Sequence, residues 1–175
     1  IMKKVILGAT GSIGSSLARK LVESGEQVHL VGRDEASLSE LANELNSTFS
    51  TCDVLVENFY EKIINDLGDE QVNGLAYCVG SIDLKPLKLT KKSDFMQSFN
   101  LNLVSATEII KSLADNLKSS KGSIVLFSTV AVKQGFPNHT IVSSAKGAVE
   151  GLTLALAAEY APNIRVNCIA PSLTN

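Results

Sequence analysis

Short, wholly apolar runs alternate along this chain with longer segments whose apolar residues recur every three or four positions. The first run, Val5-Ile6-Leu7, meets a glycine at Gly8, and residues 15–22 then follow helical periodicity. A second strand is expected over 27–31, and a helix over 34–45 with Asp34 as its N-cap. The pattern continues with a strand near 48–52, a helix through 59–67, a strand at 74–79, a longer helix over 93–117 and a fifth strand at 123–127. A helix over 143–160 and a sixth strand at 164–169 complete it. Strands apolar on both faces and separated by helix-length segments imply parallel pairing through right-handed crossovers. The expected architecture is a doubly wound α/β sheet of Rossmann type, a three-layer α/β/α sandwich, as one dinucleotide-binding domain over residues 1–175. In such sheets ligands lie beyond the carboxyl ends of the strands, so those ends carry the function.

The first of those ends holds the glycine-rich turn Gly8-Ala9-Thr10-Gly11-Ser12-Ile13-Gly14. Glycines there let the backbone turn tightly and approach a pyrophosphate, whose charge meets the N–H groups and positive end of the following helix. The strand before, the helix after and the second strand at the expected distance make this a candidate cofactor turn rather than an ordinary one. Carboxylate chemistry bears on which cofactor. An acid at the end of the second strand would bond a ribose 2′-hydroxyl and repel a 2′-phosphate. Gly32 stands there instead, followed by Arg33, whose planar fork of donors suits phosphate. NADP is therefore expected ahead of NAD, with a solvated Arg33 paired to Asp34 or Glu35 as the bland reading.

Composition narrows the partners. At 175 residues and 45% hydrophobic content the chain can bury one substantial core. A net charge of −2 without a basic run argues against nucleic acid. No apolar stretch is expected to reach bilayer-spanning length, and the run after Lys3-Lys4 stops at Gly8, which argues against a signal peptide. Cys52, Cys78 and Cys168 lack metal-ligand spacing. They read as reduced packing residues, hence a cytoplasmic protein with no metal.

Read in order, the strand ends resemble those of the short-chain dehydrogenase/reductase family over essentially the whole chain. Gly8, Gly11 and Gly14 take the spacing of the family's cofactor turn as found in its extended members. Asp53-Val54 matches the pair that holds the adenine, and Gly80 is the retained glycine of Tyr77-Cys78-Val79-Gly80, where the family has Asn-Asn-Ala-Gly. Asn102 falls at the family's catalytic-helix asparagine, Ser128-Thr129 at its serine pair, and Pro171-Ser172 at its Pro-Gly turn. The resemblance implies an NADP-dependent oxidoreductase interconverting a carbonyl and an alcohol on a small molecule. It implies Thr129 or Ser128 polarising the substrate, Lys146 on the nicotinamide ribose, and Asn102 holding a water linked to that lysine. It further implies a homodimer or homotetramer through the helices at 93–117 and 143–160, the second rich in small residues such as Ala145, Gly147, Ala148 and Gly151.

Two departures qualify that expectation. Where the family carries a tyrosine four residues before the lysine, this chain has Val142, which has no proton to give. His139 has a suitable intrinsic pKa, although a loop histidine is the plainer reading. Ser143 and Ser144 read as helix caps, Tyr160 as packing, and Tyr77 as pointing to either cofactor or core. The chain also stops at Asn175, short of the family's substrate-covering segment and seventh strand, so it is expected to be a fragment or to lack most of a substrate pocket. A nucleotide-binding sensor or scaffold without redox chemistry is the alternative function.

Overall fold

The computed structural model describes residues 2–172. Six strands, β1 (Met2–Leu7), β2 (Gln27–Gly32), β3 (Thr48–Thr51), β4 (Gln71–Tyr77), β5 (Ser123–Phe127) and β6 (Arg165–Ile169), form one sheet in the order β3-β2-β1-β4-β5-β6. Every pairing is parallel. The chain leaves β1 toward β2 and β3, then returns to the other side of β1 as β4. That reversal opens a crevice between the loops after β1 and β4.

Alternation along β1 sends Val5 and Leu7 to one face and Ile6 to the other. On the Ile6 side, α1 (Ser12–Glu23) and α2 (Glu35–Leu45) cover Val28 and Leu30 with Ala18, Leu38 and Leu41. On the other side Ile63 of α3 (Phe59–Leu67), Ile109, Ile110 and Leu113 of α5 (Ser105–Ser119) and Val149 of α7 (Thr140–Tyr160) pack with Leu75, Ile124 and Val166. Two apolar layers flanking a sheet are the sandwich that the pattern implies.

Asp34 caps α2 as expected, accepting from the Ser37 N–H at 2.7 Å. Other boundaries differ. β4 begins and ends earlier than 74–79; it starts early because Gln71 and Val72 pair with Met2 and Lys3, with an irregularity in register before Gly74. The long helix expected over 93–117 is three pieces: α4 (Lys92–Phe99), a π-helical segment Asn100–Val104, and α5. α7 starts three residues before Ser143, with His139 as N-cap. Ser143 and Ser144 are thus not caps; they donate back to the carbonyls of Ala131 and Thr140. A 3-10 turn at Leu87–Leu89 and the short α6 (Ala131–Gln134) carry no periodicity long enough to have been expected.

The expectation that no apolar stretch reaches bilayer length is corrected by α7. Its 21 residues are long and apolar enough by length and composition. The physical reason is its packing role: Ile141, Val142, Ala145 and Val149 are buried against the rest of the fold, which makes the helix apolar on that side.

A buried polar chain crosses the β2–β3 edge of the sheet. His29, wholly buried, has Nδ1 2.8 Å from Thr48 Oγ1 and Nε2 2.8 Å from Ser50 Oγ. Lys3 Nζ donates to Thr48 Oγ1 at 3.0 Å, and Ser50 donates to Asp66 Oδ2 at 2.6 Å.

Candidate active site

At the end of β1 the chain turns through Gly8 at a φ of +73°, a conformation that favours glycine. A Cβ on Gly8 would lie 2.9 Å from the carbonyl of Cys78, so the loops after β1 and β4 touch directly. α1 then begins at Ser12 with Gly11 as N-cap, no side-chain cap and no acid in its first turn. Its first N–H groups are left without side-chain partners at the mouth of the crevice, and Thr10, Gly11 and Ser12 are exposed. That is the electrostatic form of an anion site, and it contrasts with α2, where Asp34 and Glu35 fill the same role. Gly14 packs α1 onto this turn: a Cβ there would lie 2.2 Å from Gly8 O.

The rim at the ends of β2 and β3 carries the expected adenine-side residues. Arg33 is exposed, and its guanidinium stands 4.0 Å from Asp53 Oδ2, not against Asp34 or Glu35. Asp53 also accepts from the Leu55 N–H at 3.0 Å. Val54 is buried, and its carbonyl accepts from Ser105 Oγ at 2.8 Å, which ties this loop to α5.

Beyond β4 and β5 lies a cleft of about 230 Å3, lined by Ile13, Gly80, Ser128, Thr129, Lys146 and Pro171 among others. Gly80 is where two helices converge. A Cβ on it would sit 3.0 Å from Asn102 Oδ1 and 3.2 Å from Lys146 Nζ, so only a glycine leaves that space open. Asn102 is buried inside the π-helical segment. Its Nδ2 donates to Ser98 O at 2.9 Å, while its Oδ1 is buried without a partner among the described residues. Lys146 donates to Phe127 O at 2.9 Å, and burial lowers the pKa of its ammonium. An orphaned buried acceptor and a desolvated cation facing one open space call for a polar occupant.

The serine–threonine pair divides its work. Ser128 is buried and donates to Glu150 Oε1 at 2.7 Å, so its hydroxyl hydrogen is committed. Thr129 Oγ1 accepts from the Ala131 N–H at 3.3 Å and makes no hydrogen bond as donor among the described residues. Of the two, Thr129 has the hydroxyl free to polarise a substrate oxygen.

A family model described as short chain dehydrogenase matches residues 3–175. The chain belongs to the short-chain dehydrogenase family. The chain is 33% identical over 172 residues to the L-fucose dehydrogenase of Oryctolagus cuniculus, covering 95% of this chain and 61% of the relative. A tropinone reductase homolog of Arabidopsis thaliana is 34% identical over 182 residues (98% and 70%), and the L-xylulose reductase of Bos taurus 30% over 177 residues (98% and 71%). The chain thus spans 61% to 71% of the length of these three relatives. A solved short chain dehydrogenase/reductase family protein superposes with a TM-score of 0.90 at 25% identity, covering 97% of this chain and 73% of that one. Serine dehydrogenase complexed with NADP+ superposes at 0.92 and 21% identity over 99% of this chain and 73% of its own, a likeness of fold alone.

Of the side chains around this site, Glu150 escaped the motif reading, whereas the sequence already singles out Tyr77, His139 and Val142. Tyr77 turns inward, its hydroxyl donating to Leu101 O at 2.7 Å and so satisfying a carbonyl of the π-helical segment that carries Asn102. Burial raises its pKa, as expected for a phenol in the core. Glu150, one turn beyond Lys146, claims the Ser128 hydroxyl; that spacing was the available signal. His139 lines the same cleft as Lys146 and Thr129, although it precedes α7. Val142 lines it too, 3% exposed, and brings hydrocarbon to the position one turn before Lys146.

Proposed function

We propose that this protein is an NADP-dependent oxidoreductase that interconverts a carbonyl and an alcohol on a small molecule. The observation that carries the proposal is the convergence of Asn102 Oδ1, Lys146 Nζ and the open face of Gly80 in a cleft that also holds Thr129. The activities of the L-fucose dehydrogenase and L-xylulose reductase relatives support the reaction class. A bound nicotinamide dinucleotide would supply or accept the two electrons and hydrogen of the reaction. The N–H groups at the start of α1 hold its pyrophosphate, Asp53 and Val54 its adenine, and Arg33 its 2′-phosphate. Gly80 and Pro171 border the nicotinamide end, and Lys146 binds the adjacent ribose hydroxyls. Asn102 holds a water linked to that ammonium, and Thr129 donates to the substrate oxygen. In the same reading the protein assembles as a homodimer or homotetramer across α4–α5 and the outward face of α7, where Leu154 is 74% exposed; light scattering at micromolar concentration showing a monomer would remove that part.

Turnover of NADPH against a panel of aldehydes and ketones tests the activity. Val142 favours the second reading, a cofactor-binding protein without turnover, and tight NADPH binding with no oxidation across the panel would establish it. Cofactor choice is tested separately by calorimetry. With Arg33 on the 2′-phosphate, NADPH should bind more tightly than NADH by roughly 1.5–3 kcal/mol, the worth of one charged hydrogen-bonded contact. Arg33→Ala should erase most of that difference and spare NADH. Equal affinities in the unaltered protein would exclude the contact.

A further inference from the structure

Reducing a carbonyl requires a proton on its oxygen as its carbon gains hydrogen. Among the described residues, the titratable side chains that line the cleft are Cys78, His139 and Lys146. Burial pushes the Cys78 thiol up to about 12, which disqualifies it near neutral pH. Lys146 is tied to Phe127 O, and Tyr77 is turned into the core on Leu101 O.

His139 is placed differently. Its Nδ1 lies 2.8 Å from Pro137 O, and a carbonyl oxygen only accepts, so Nδ1 carries a hydrogen. Nε2 is then the ring nitrogen free to gain and lose a proton. Phe136 lies beside the imidazole with ring centroids 5.4 Å apart, and the His139 carbonyl accepts from the Ser143 N–H at 2.8 Å. The ring is therefore held by its own segment and by the first turn of α7. The segment after β4 packs against it as well: the Lys85 N–H donates to Asn138 O at 3.1 Å. The Lys85 ammonium is occupied by Asp83 and Asp94, at 3.1 and 3.2 Å. Lys146 is the charged group that shares the cleft with the imidazole.

We propose that His139, through Nε2, is the catalytic proton donor and acceptor of the carbonyl–alcohol reaction, an inference that rests on the oxidoreductase reading above. In the reducing direction the C=O π bond breaks as a hydrogen with its two electrons reaches the carbon from a reduced nicotinamide dinucleotide. The oxygen takes the Nε2 proton of the imidazolium, with Thr129 donating to the same oxygen. Neutral imidazole remains, still bonded through Nδ1–H to Pro137 O, and a proton from solvent restores it. Oxidation runs the same transfers backwards.

Two measurements on the full-length protein decide it. The first is the NMR titration of the His139 ring, assigned by its absence in His139→Gln, with saturating NADPH and then with saturating NADP+. The oxidised ring bears a positive charge that the reduced ring lacks. A histidine beside it should titrate lower with NADP+ by about half a pH unit or more, the effect of a unit charge roughly 6 Å away even in water. Equal midpoints overturn the proposal, and this comparison needs no turnover. The second is the pH profile of p-nitrobenzaldehyde reduction. The unaltered enzyme should slow as pH rises through the His139 midpoint. His139→Gln should lose that limb and at least about tenfold in rate, the low side of what acid–base groups contribute. A variant with unchanged rate and profile overturns the proposal. Failure of the unaltered protein to turn over with NADPH bound overturns the oxidoreductase reading instead, and equal midpoints in an active enzyme overturn only the histidine's role.

Discussion

Replacing Gly14 with alanine should abolish tight dinucleotide binding while leaving the sheet assembled. The added Cβ would lie 2.2 Å from Gly8 O and 2.9 Å from Ala9 Cα and Gly8 C, all backbone atoms of the turn itself. No side-chain rotation relieves such a contact, so α1 must move away from the end of β1. That displacement carries off the uncapped N–H groups proposed to hold the pyrophosphate. Losing two charged hydrogen bonds at roughly 1.5–3 kcal/mol each predicts a fall in NADPH affinity of at least about 100-fold. Stability should also drop by about 1–3 kcal/mol, the usual cost of overpacking. Gly25→Ala is the control. Its φ of +83° strains any L side chain, yet nothing lies within 4 Å of the added atom and it stands at the far end of α1. It should lower stability while sparing affinity. Fluorescence titration with NADPH beside thermal unfolding separates the two, and Gly14→Ala binding within threefold of the unaltered protein would sink the account.

That glycine was legible in the sequence because its requirement is local: a tight turn between an apolar run and a periodic segment. The strands were legible for a similar reason. Val5, Ile6 and Leu7 are apolar without alternation because both faces of β1 are covered. What escaped depends on partners far along the chain. The π-helical segment around Asn102 is supported by Tyr77 on Leu101 O and by Ser105 on Asn100 O, and no periodicity in residues 93–117 announces either. The same holds for the site. Gly80, Asn102 and Lys146 could each be placed by motif, but their meeting at one open space is a tertiary fact. His139 reads as a loop residue until the fold brings it into the cleft with Lys146.

The buried histidine was not singled out at all, since its partners Thr48 and Ser50 lie 19 and 21 positions away. Its hydrogen bonds nevertheless fix its state. Ser50 spends its hydroxyl hydrogen on Asp66, so Ser50 must accept from His29 Nε2–H. Thr48 accepts from the Lys3 ammonium, leaving its hydroxyl hydrogen for an unprotonated Nδ1. The chain therefore runs one way, from the Lys3 cation to the Asp66 carboxylate, through a neutral imidazole. A second proton on the ring would set Nδ1–H against the Thr48 hydroxyl hydrogen. Burial first, and then the positive charge of Lys3, lower the His29 pKa from 6.5 to about 4. Below 6.5 the unfolded chain binds a proton that the folded chain refuses, so stability falls as pH drops toward 4. From pH 7 to pH 4.5 the loss attributable to this residue should be about 2 kcal/mol. His29→Leu removes the titration while leaving Thr48 on Lys3 and Ser50 on Asp66. Denaturant unfolding of both proteins across that range should therefore converge as the pH falls, the unaltered protein losing about 2 kcal/mol more than the variant. Parallel curves would mean that the histidine is protonated in the folded state, and the one-way chain would have to be abandoned.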